Sequence, residues 1–534
     1  MMSRRLSFAL WLVCITLVGC AATPRFRDQP TVWQVEDTRS IPEPSVREYD
    51  AKAYFAKIFV VERLDRVLSI PDEEPAWNTN ALDDVPDSSW FQNRISVRHV
   101  TPAEAATGPD TGGPPRAPLQ VVKGKSGGGN PGFVVRDATG RTFIIKFDTL
   151  ENPELQTTAG IVVNRIFWTL GYNVPSDNVF DFRRAELSIS PEATYTDAFN
   201  RTVPMDAAFV DAVLRTSPQA NDGSYRAFAS EFLKGVPKGG FAANGVRPDD
   251  PNDVVPHEHR RELRGLRVFA AWVAHTDIKE DNTLDVYVEQ GGRRFLRHYL
   301  LDFGEALDAH AAEKGRWEDG WEHFIDWENQ FKATFSFGLW KRPWEDRQPT
   351  RWASIGAFSA TPFDPLRWRE AYPFAPFFEM DAADAYWAAK LVLRFDRPLL
   401  TAIVAQGKMS DPAASAYLID TLLARREAIG RAYLEQVTPL DELVVERSRL
   451  CAVDLGVRYG LASAGIVERM RGANVIDARV VDAWGRVCWP LAEGDDYTIY
   501  RLRTRRGRQA RPPMEVHFKG GDRPRVIGLL RVLP

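Results

Sequence analysis

His275-Thr276-Asp277-Ile278-Lys279-Glu280-Asp281-Asn282 and, beyond a hairpin, Asp302-Phe303-Gly304 are the two stretches on which the fold turns. The first is a polar loop that closes a helical pattern. Leu263, Leu266, Phe269, Trp272 and Val273 share one face of a helix predicted from about His257 to Ala274. After the loop, Leu284 to Val288, Gln290-Gly291-Gly292 and Arg294 to Leu301 read as strand, turn and strand. That hairpin ends in Asp302-Phe303-Gly304.

Working outward, Leu119 to Val122 predicts a strand, followed by a glycine-rich stretch from Gly124 to Gly132 that contains Gly127, Gly128 and Gly129. Phe133 to Val135, a turn at Asp137-Ala138-Thr139-Gly140, and the β-branched run Thr142 to Phe147 complete a meander that carries Lys146. Ile161, Val162, Ile166, Phe167 and Leu170 recur at helical spacing, predicting a helix from about Pro153 to Leu170. Phosphoryl transfer needs groups of this kind in this order. Glycines let backbone amides approach phosphates. A lysine neutralises phosphate oxygens, an aspartate orients the attacking hydroxyl, and an Asn with a second Asp holds the bridging metal ions.

On these residues the chain resembles the protein-kinase-like superfamily over roughly residues 119–436. His275, Asp277 and Asn282 match the catalytic-loop pattern His-Arg-Asp-Leu-x-x-x-Asn by type and spacing, and Lys279 sits where Ser/Thr kinases carry a lysine. Asp302-Phe303-Gly304 matches the metal-binding motif. The resemblance implies a catalytic pair in Asp277 and Lys279, metal ligands in Asn282 and Asp302, and nucleotide contacts from Lys146 and Gly127 to Gly129, with ATP and Mg or Mn as cofactors. Thr276 replaces the usual Arg, which argues against control through a phosphorylated activation loop. Gly171-Tyr172-Asn173-Val174-Pro175 and the insertion before Tyr225 look more like the HipA, CotH and phosphoinositide-kinase-like branch, with a hinge expected at Phe232-Leu233-Lys234. In that branch an acid on the first helix pairs the lysine. Its position falls near Gly160, so either Glu154 serves through a shifted helix or the pair is missing.

Other motifs fail. Gly124-Lys125-Ser126 lacks the earlier glycine of a P-loop, and no Gly-x-Ser-x-Gly elbow occurs. His257 and His259 do not share a helix face, which opposes a metal site. Trp317, Trp321, Trp327, Trp340, Trp344 and Trp352 crowd the segment after Asp302; packing of a large helical lobe is the expected use of them, against an exposed surface for a glycan or lipid.

Arg4, Arg5 and the short apolar run Phe8 to Val18 precede Leu17-Val18-Gly19-Cys20. This resembles a bacterial lipobox, which implies cleavage before Cys20, a diacylglycerol on its thiol and, with Ala21 following, sorting to the outer membrane, facing the periplasm or the cell surface. Cys451 and Cys488 are then the thiols left, paired in a disulfide in an oxidising compartment or buried free. The 534 residues carry Lys+Arg 68 against Asp+Glu 72, and this balance argues against a general nucleic-acid binder.

The expected architecture is α+β: a two-lobed kinase-like domain, with a β-rich N-lobe and a helical C-lobe, then a small all-β domain. Its divisions are a signal peptide at 1–19, a tether at 20–50, the N-lobe with its preceding segment at 51–240, the C-lobe at 241–440 and the β domain at 441–534. Function divides into two readings: a lipid-anchored phosphotransferase acting on a protein, sugar or lipid hydroxyl, or an inactive pseudokinase-like module that binds or scaffolds at the outer membrane.

Overall fold

In the computed structural model, residues 26–534 are described apart from 28, 32–35, 65–73, 111, 126–129, 198, 311–315, 338, 346, 349, 492–496 and 522. Cys20 and Gly127, Gly128 and Gly129 therefore lie outside the described residues. The predicted meander forms β1 (Leu119–Gly124), β2 (Gly132–Arg136) and β3 (Thr142–Lys146), joined by β4 (Asp177–Arg183), β5 (Leu187–Thr196), β6 (Thr202–Pro204) and β7 (Ser224–Glu231). They make one sheet in the order β4-β7-β3-β2-β1-β5-β6, antiparallel except where β1 meets β5. Strand alternation decides which side chains reach the site. In β3, Phe143 and Ile145 are buried in the core of this sheet. Ile144 and Lys146 take the other face, which lines a cleft.

The helix Leu155–Leu170 is buried along almost its whole length. Its start is capped from just beyond β3. Asp148 accepts from the backbone N–H of Gln156 (2.8 Å) and Thr157 (3.0 Å) and from the Thr157 hydroxyl (2.6 Å). Lys146 is thus fixed two residues from a helix cap.

The chain leaves the sheet after β7, where Phe232 N–H still donates to Thr142 O at 2.9 Å. It enters a second sheet of β8 (Val236–Pro237), β9 (Thr283–Gln290) and β10 (Arg293–Leu300). The expected hinge therefore occupies the crossing between two sheets. Helices Arg261–Trp272, Ala382–Val392, Arg397–Ala405 and Pro412–Tyr433 build the helical lobe around one large core. Gly265 is required where the first two meet, because a Cβ there would lie 2.7 Å from the Trp387 ring. Among the described residues no helix is long and apolar enough to cross a membrane.

The segment before β1 packs on both lobes: Trp90, Phe91, Ile95 and Val100 share one core with helix Leu155–Leu170 and helix Arg261–Trp272. Residues 36–50, expected as part of a tether, are packed down. Asp37 accepts from Ser89, Ile41 N–H donates to Arg294 O (2.9 Å) and Arg47 N–H to Lys238 O (2.8 Å). Polar sequence alone hides this, because the partners of these main-chain and side-chain bonds lie far along the chain.

Past Leu440 the chain is almost all β. One sheet contains Leu440–Glu446, Arg449–Asp454 and Arg486–Pro490. The other contains Ile466–Arg471, Asn474–Val480, Tyr497–Arg506, Met514–Lys519 and Arg525–Arg531, with Gln509–Ala510 at its side. Cys451 and Cys488 face each other across two antiparallel strands with Cα atoms 4.1 Å apart, joined as a disulfide. An ionic hub ties the parts together. Asp384, fully buried, pairs with Arg261 Nε (2.9 Å) and Arg264 Nη1 (3.3 Å); Arg261 also pairs with Asp83, whose other oxygen takes Arg531 Nε at 3.0 Å.

Candidate functional site

The loop after helix Arg261–Trp272 is pinned by its backbone. Ala274 is left-handed (φ 48°), and His275 N–H donates to Ala270 O at 2.9 Å. Thr276 O accepts from Ala371 N–H at 3.0 Å. Leu301 N–H donates to Asn282 O at 2.9 Å, which brings the far end of the hairpin beside the loop. Asp302 is itself left-handed (φ 56°), a conformation Asp tolerates better than most residues and one that gathers at functional sites. Phe303 turns inward onto Phe167 (5.1 Å between centroids) and His275 (5.6 Å), so Asp302 is left facing the cleft.

Five expected residues meet there. Lys146 Nζ donates to Asp302 Oδ1 at 2.7 Å, across 156 positions of sequence. Asn282 Nδ2 donates to the Asp277 carbonyl (2.8 Å) and to Asp277 Oδ2 (2.7 Å), and Lys279 Nζ takes Asp277 Oδ1 at 2.7 Å. All five side chains line one cleft of about 480 Å³, within the usual range for a small-molecule site. Desolvation within the cleft alone would raise the Asp302 carboxyl, but Lys146, helped by Lys125 and Lys279, holds it below the ordinary range. Burial likewise works against the Lys279 ammonium, and Asp277 more than offsets it.

Glu154 does not join the cluster. Its carboxylate accepts from Ser410 N–H at 3.0 and 3.2 Å and lines a different hollow with Arg226 and Lys408. No acid can stand in at the next turn either, because a Cβ on Gly160 would lie 2.8 Å from the Phe228 ring. Gly160→Glu is expected to cost about 1–3 kcal/mol of stability by displacing that ring. An unchanged thermal midpoint would refute the close approach.

Several cleft residues were missed by the motif reading. Asp177, the first residue of β4, is fully buried, and no hydrogen bond of normal geometry reaches its Oδ1. Its Oδ2 is held by Asn164 Nδ2 at 2.7 Å. Burial pushes it up to about 7, against the pull of Ser230, Arg165 and Lys146. Glu305 is also pushed up to about 7, by burial and then by the charge on Asp277. Lys125, Arg316 and Tyr372 complete the wall. The only signals were the adjacency of Glu305 to Asp302-Phe303-Gly304 and of Lys125 to the glycine run.

His275 lies behind the loop, fully buried, with Nδ1 lacking a partner; burial pushes its imidazole down to about 4. The unfolded chain takes up that proton near 6.5, so stability falls as pH drops from about 6.5 to about 4. Denaturant midpoints at pH 7 and pH 5 should therefore differ more in the wild type than in His275→Gln. Equal differences would remove His275 as the cause.

The donor set fits a hard divalent cation. Lys146 engages only one oxygen of Asp302, and Asn282 spends its amide nitrogen on Asp277, which leaves its Oδ1 for another ligand. Among the described residues no three His, Cys, Asp or Glu side chains form a ready-made metal cage. Mg²⁺ and its like commonly use one or two protein oxygens and complete their shell with phosphates.

No family model matches the sequence, and no curated protein matches it. Among solved structures the chain is similar to a crystal structure of the Golgi casein kinase with Mn/ADP bound, at 12% identity and a TM-score of 0.29, covering 74% of this chain and 94% of that one. It is similar to another crystal structure of the Golgi casein kinase at 10% identity and a TM-score of 0.28, with the same coverage.

Proposed function

We propose that the chain is an exported, lipid-anchored phosphotransferase of atypical kinase-like type, using ATP and Mg or Mn to phosphorylate a hydroxyl acceptor. The observation that carries this reading is the meeting of Lys146, Asp277, Asn282 and Asp302 in one cleft. Asn282 and Asp302 would hold the metal. Bound metal supplies positive charge to bridge and neutralise phosphate oxygens. Lys146, with Lys125 beside it, meets the remaining phosphate charge. Asp277 accepts the proton of the attacking hydroxyl, and Lys279 and Asn282 hold its carboxylate in place. Ile144 and Phe228 offer apolar contacts for a base.

The test is a thermal-shift titration of the chain from residue 20 with ATP and Mn, followed by transfer of labelled γ-phosphate. A ligand binding only the folded state at a hundred times its Kd stabilises it by about 2.7 kcal/mol. No metal-dependent shift would sink the reading. Asp277→Asn should keep the shift and lose transfer by about 10²–10⁴-fold. Mass measurement of the N-terminal peptide tests the diacylglycerol on Cys20 separately.

A second reading, an inactive binding module at the outer membrane, draws on one observation: Gly160 and Phe228 exclude the helix-borne acid that usually positions the lysine. A nucleotide-induced shift without turnover would favour it.

A further inference from the structure

The helix Trp327–Phe335 is built inside out. Trp327, Phe331 and Phe335 recur every four residues along one face and are 58%, 61% and 64% exposed, whereas Asn329 is buried. Just beyond it Phe337 and Leu339 are 91% and 89% exposed. Of the six tryptophans expected to pack the helical lobe, Trp352 is half-buried against its core, Trp321, Trp340 and Trp344 are half-buried, and Trp317 and Trp327 are exposed. Water-facing surfaces of soluble monomers rarely carry apolar area this concentrated.

The ridge is continuous with the cleft. Trp327 Nε1 donates to Phe59 O at 3.4 Å, Phe59 packs on Tyr372 with centroids 6.4 Å apart, and Tyr372 lines the cleft with Lys279 Nζ 5.0 Å above its ring. Lys332, paired with Glu328 at 2.6 Å, Arg342, paired with Glu322 at 2.6 Å, and Lys341 flank it.

We propose that this ridge docks into the surface of a lipid bilayer and sets the mouth of the cleft against it. The choice of partner rests on the lipid-anchor reading of Cys20. Phe26 is already packed on His517, with centroids 4.7 Å apart. The stretch from Cys20 to Phe26 reaches at most roughly 20 Å. An anchored body is therefore held at the membrane. Aromatic and aliphatic side chains on one face with Lys and Arg beside them are the composition that settles at a headgroup boundary. Such docking points the site toward a hydroxyl borne by a membrane lipid or by a molecule lying on the membrane.

The test uses the chain from residue 20 with Cys20→Ser, which carries neither signal nor lipid, and vesicles of phosphatidylethanolamine and phosphatidylglycerol. Co-sedimentation is expected, weakened at least about tenfold in Phe331→Ser/Phe335→Ser and in Phe337→Ser/Leu339→Ser. Both variants change exposed side chains, and their nucleotide-induced thermal shift is expected to match the parent's. Absence of vesicle binding by the parent, or equal binding by the variants, overturns the proposal. So does a parent dimer, seen by light scattering, that the variants dissolve, because the ridge then serves a second copy. A missing diacylglycerol on Cys20 would refute the anchor alone and leave the vesicle result to stand by itself.

Discussion

Asp302→Ala is expected to erase the metal-dependent thermal shift with ATP and to lower phosphate transfer by at least about a hundred- to a thousandfold. The substitution removes one of the two side-chain oxygens proposed to hold the metal, and the partner that holds Lys146 at 2.7 Å. Its effect on the ligand-free fold should be small, because the Asp302 side chain is 46% exposed and such pairs contribute little to stability. The comparison is a melting curve with and without Mn and ATP, for wild type and variant side by side. If the shift survives in the variant, Asp302 is not a metal ligand. If the ligand-free melt collapses, its role is structural.

The second large effect is on stability. Asp384→Ala should lower the unfolding free energy by about 3–5 kcal/mol, read as a fall in the denaturant midpoint. The carboxylate is fully buried between Arg261 and Arg264, and it also accepts from Asp381 N–H at 3.1 Å as part of the cap of helix Ala382–Val392. Its removal leaves the buried Arg264 guanidinium without a carboxylate and Arg261 with Asp83 alone. A loss under about 1 kcal/mol would mean that water reaches them.

Much of the site was legible because its parts are local. The β-branched run from Thr142 announces its strand, and Gln290-Gly291-Gly292 announces the turn that returns Asp302 to the loop. The spacing of Asp277 to Asn282 has a meaning that no tertiary contact alters. What stayed hidden depends on distant packing. Gly160 signals a missing acid, but only Phe228, brought over by β7, says why no side chain fits there. Asp177 looks like any strand residue until the sheet order sets β4 beside β7. The polar run at 36–50 has no apolar period, since hydrogen bonds and ion pairs to distant residues such as Ser89, Lys238 and Glu280 dock it. Trp327 misled for the opposite reason: an aromatic ridge has the same periodicity whether it faces the core or the outside.

The pairing of Asp83 with Arg531 joins residues 448 positions apart. Arg531 also donates to Thr438 O (2.8 Å) and Leu440 O (3.0 Å), so it bridges the ionic hub to the start of the β domain. A chain made N-terminus first delivers Arg261 and Asp384 long before their neighbour Asp83 meets its second cation. Completion of that cluster must wait until nearly the whole chain has emerged, so the β domain's last strand is the piece that closes it.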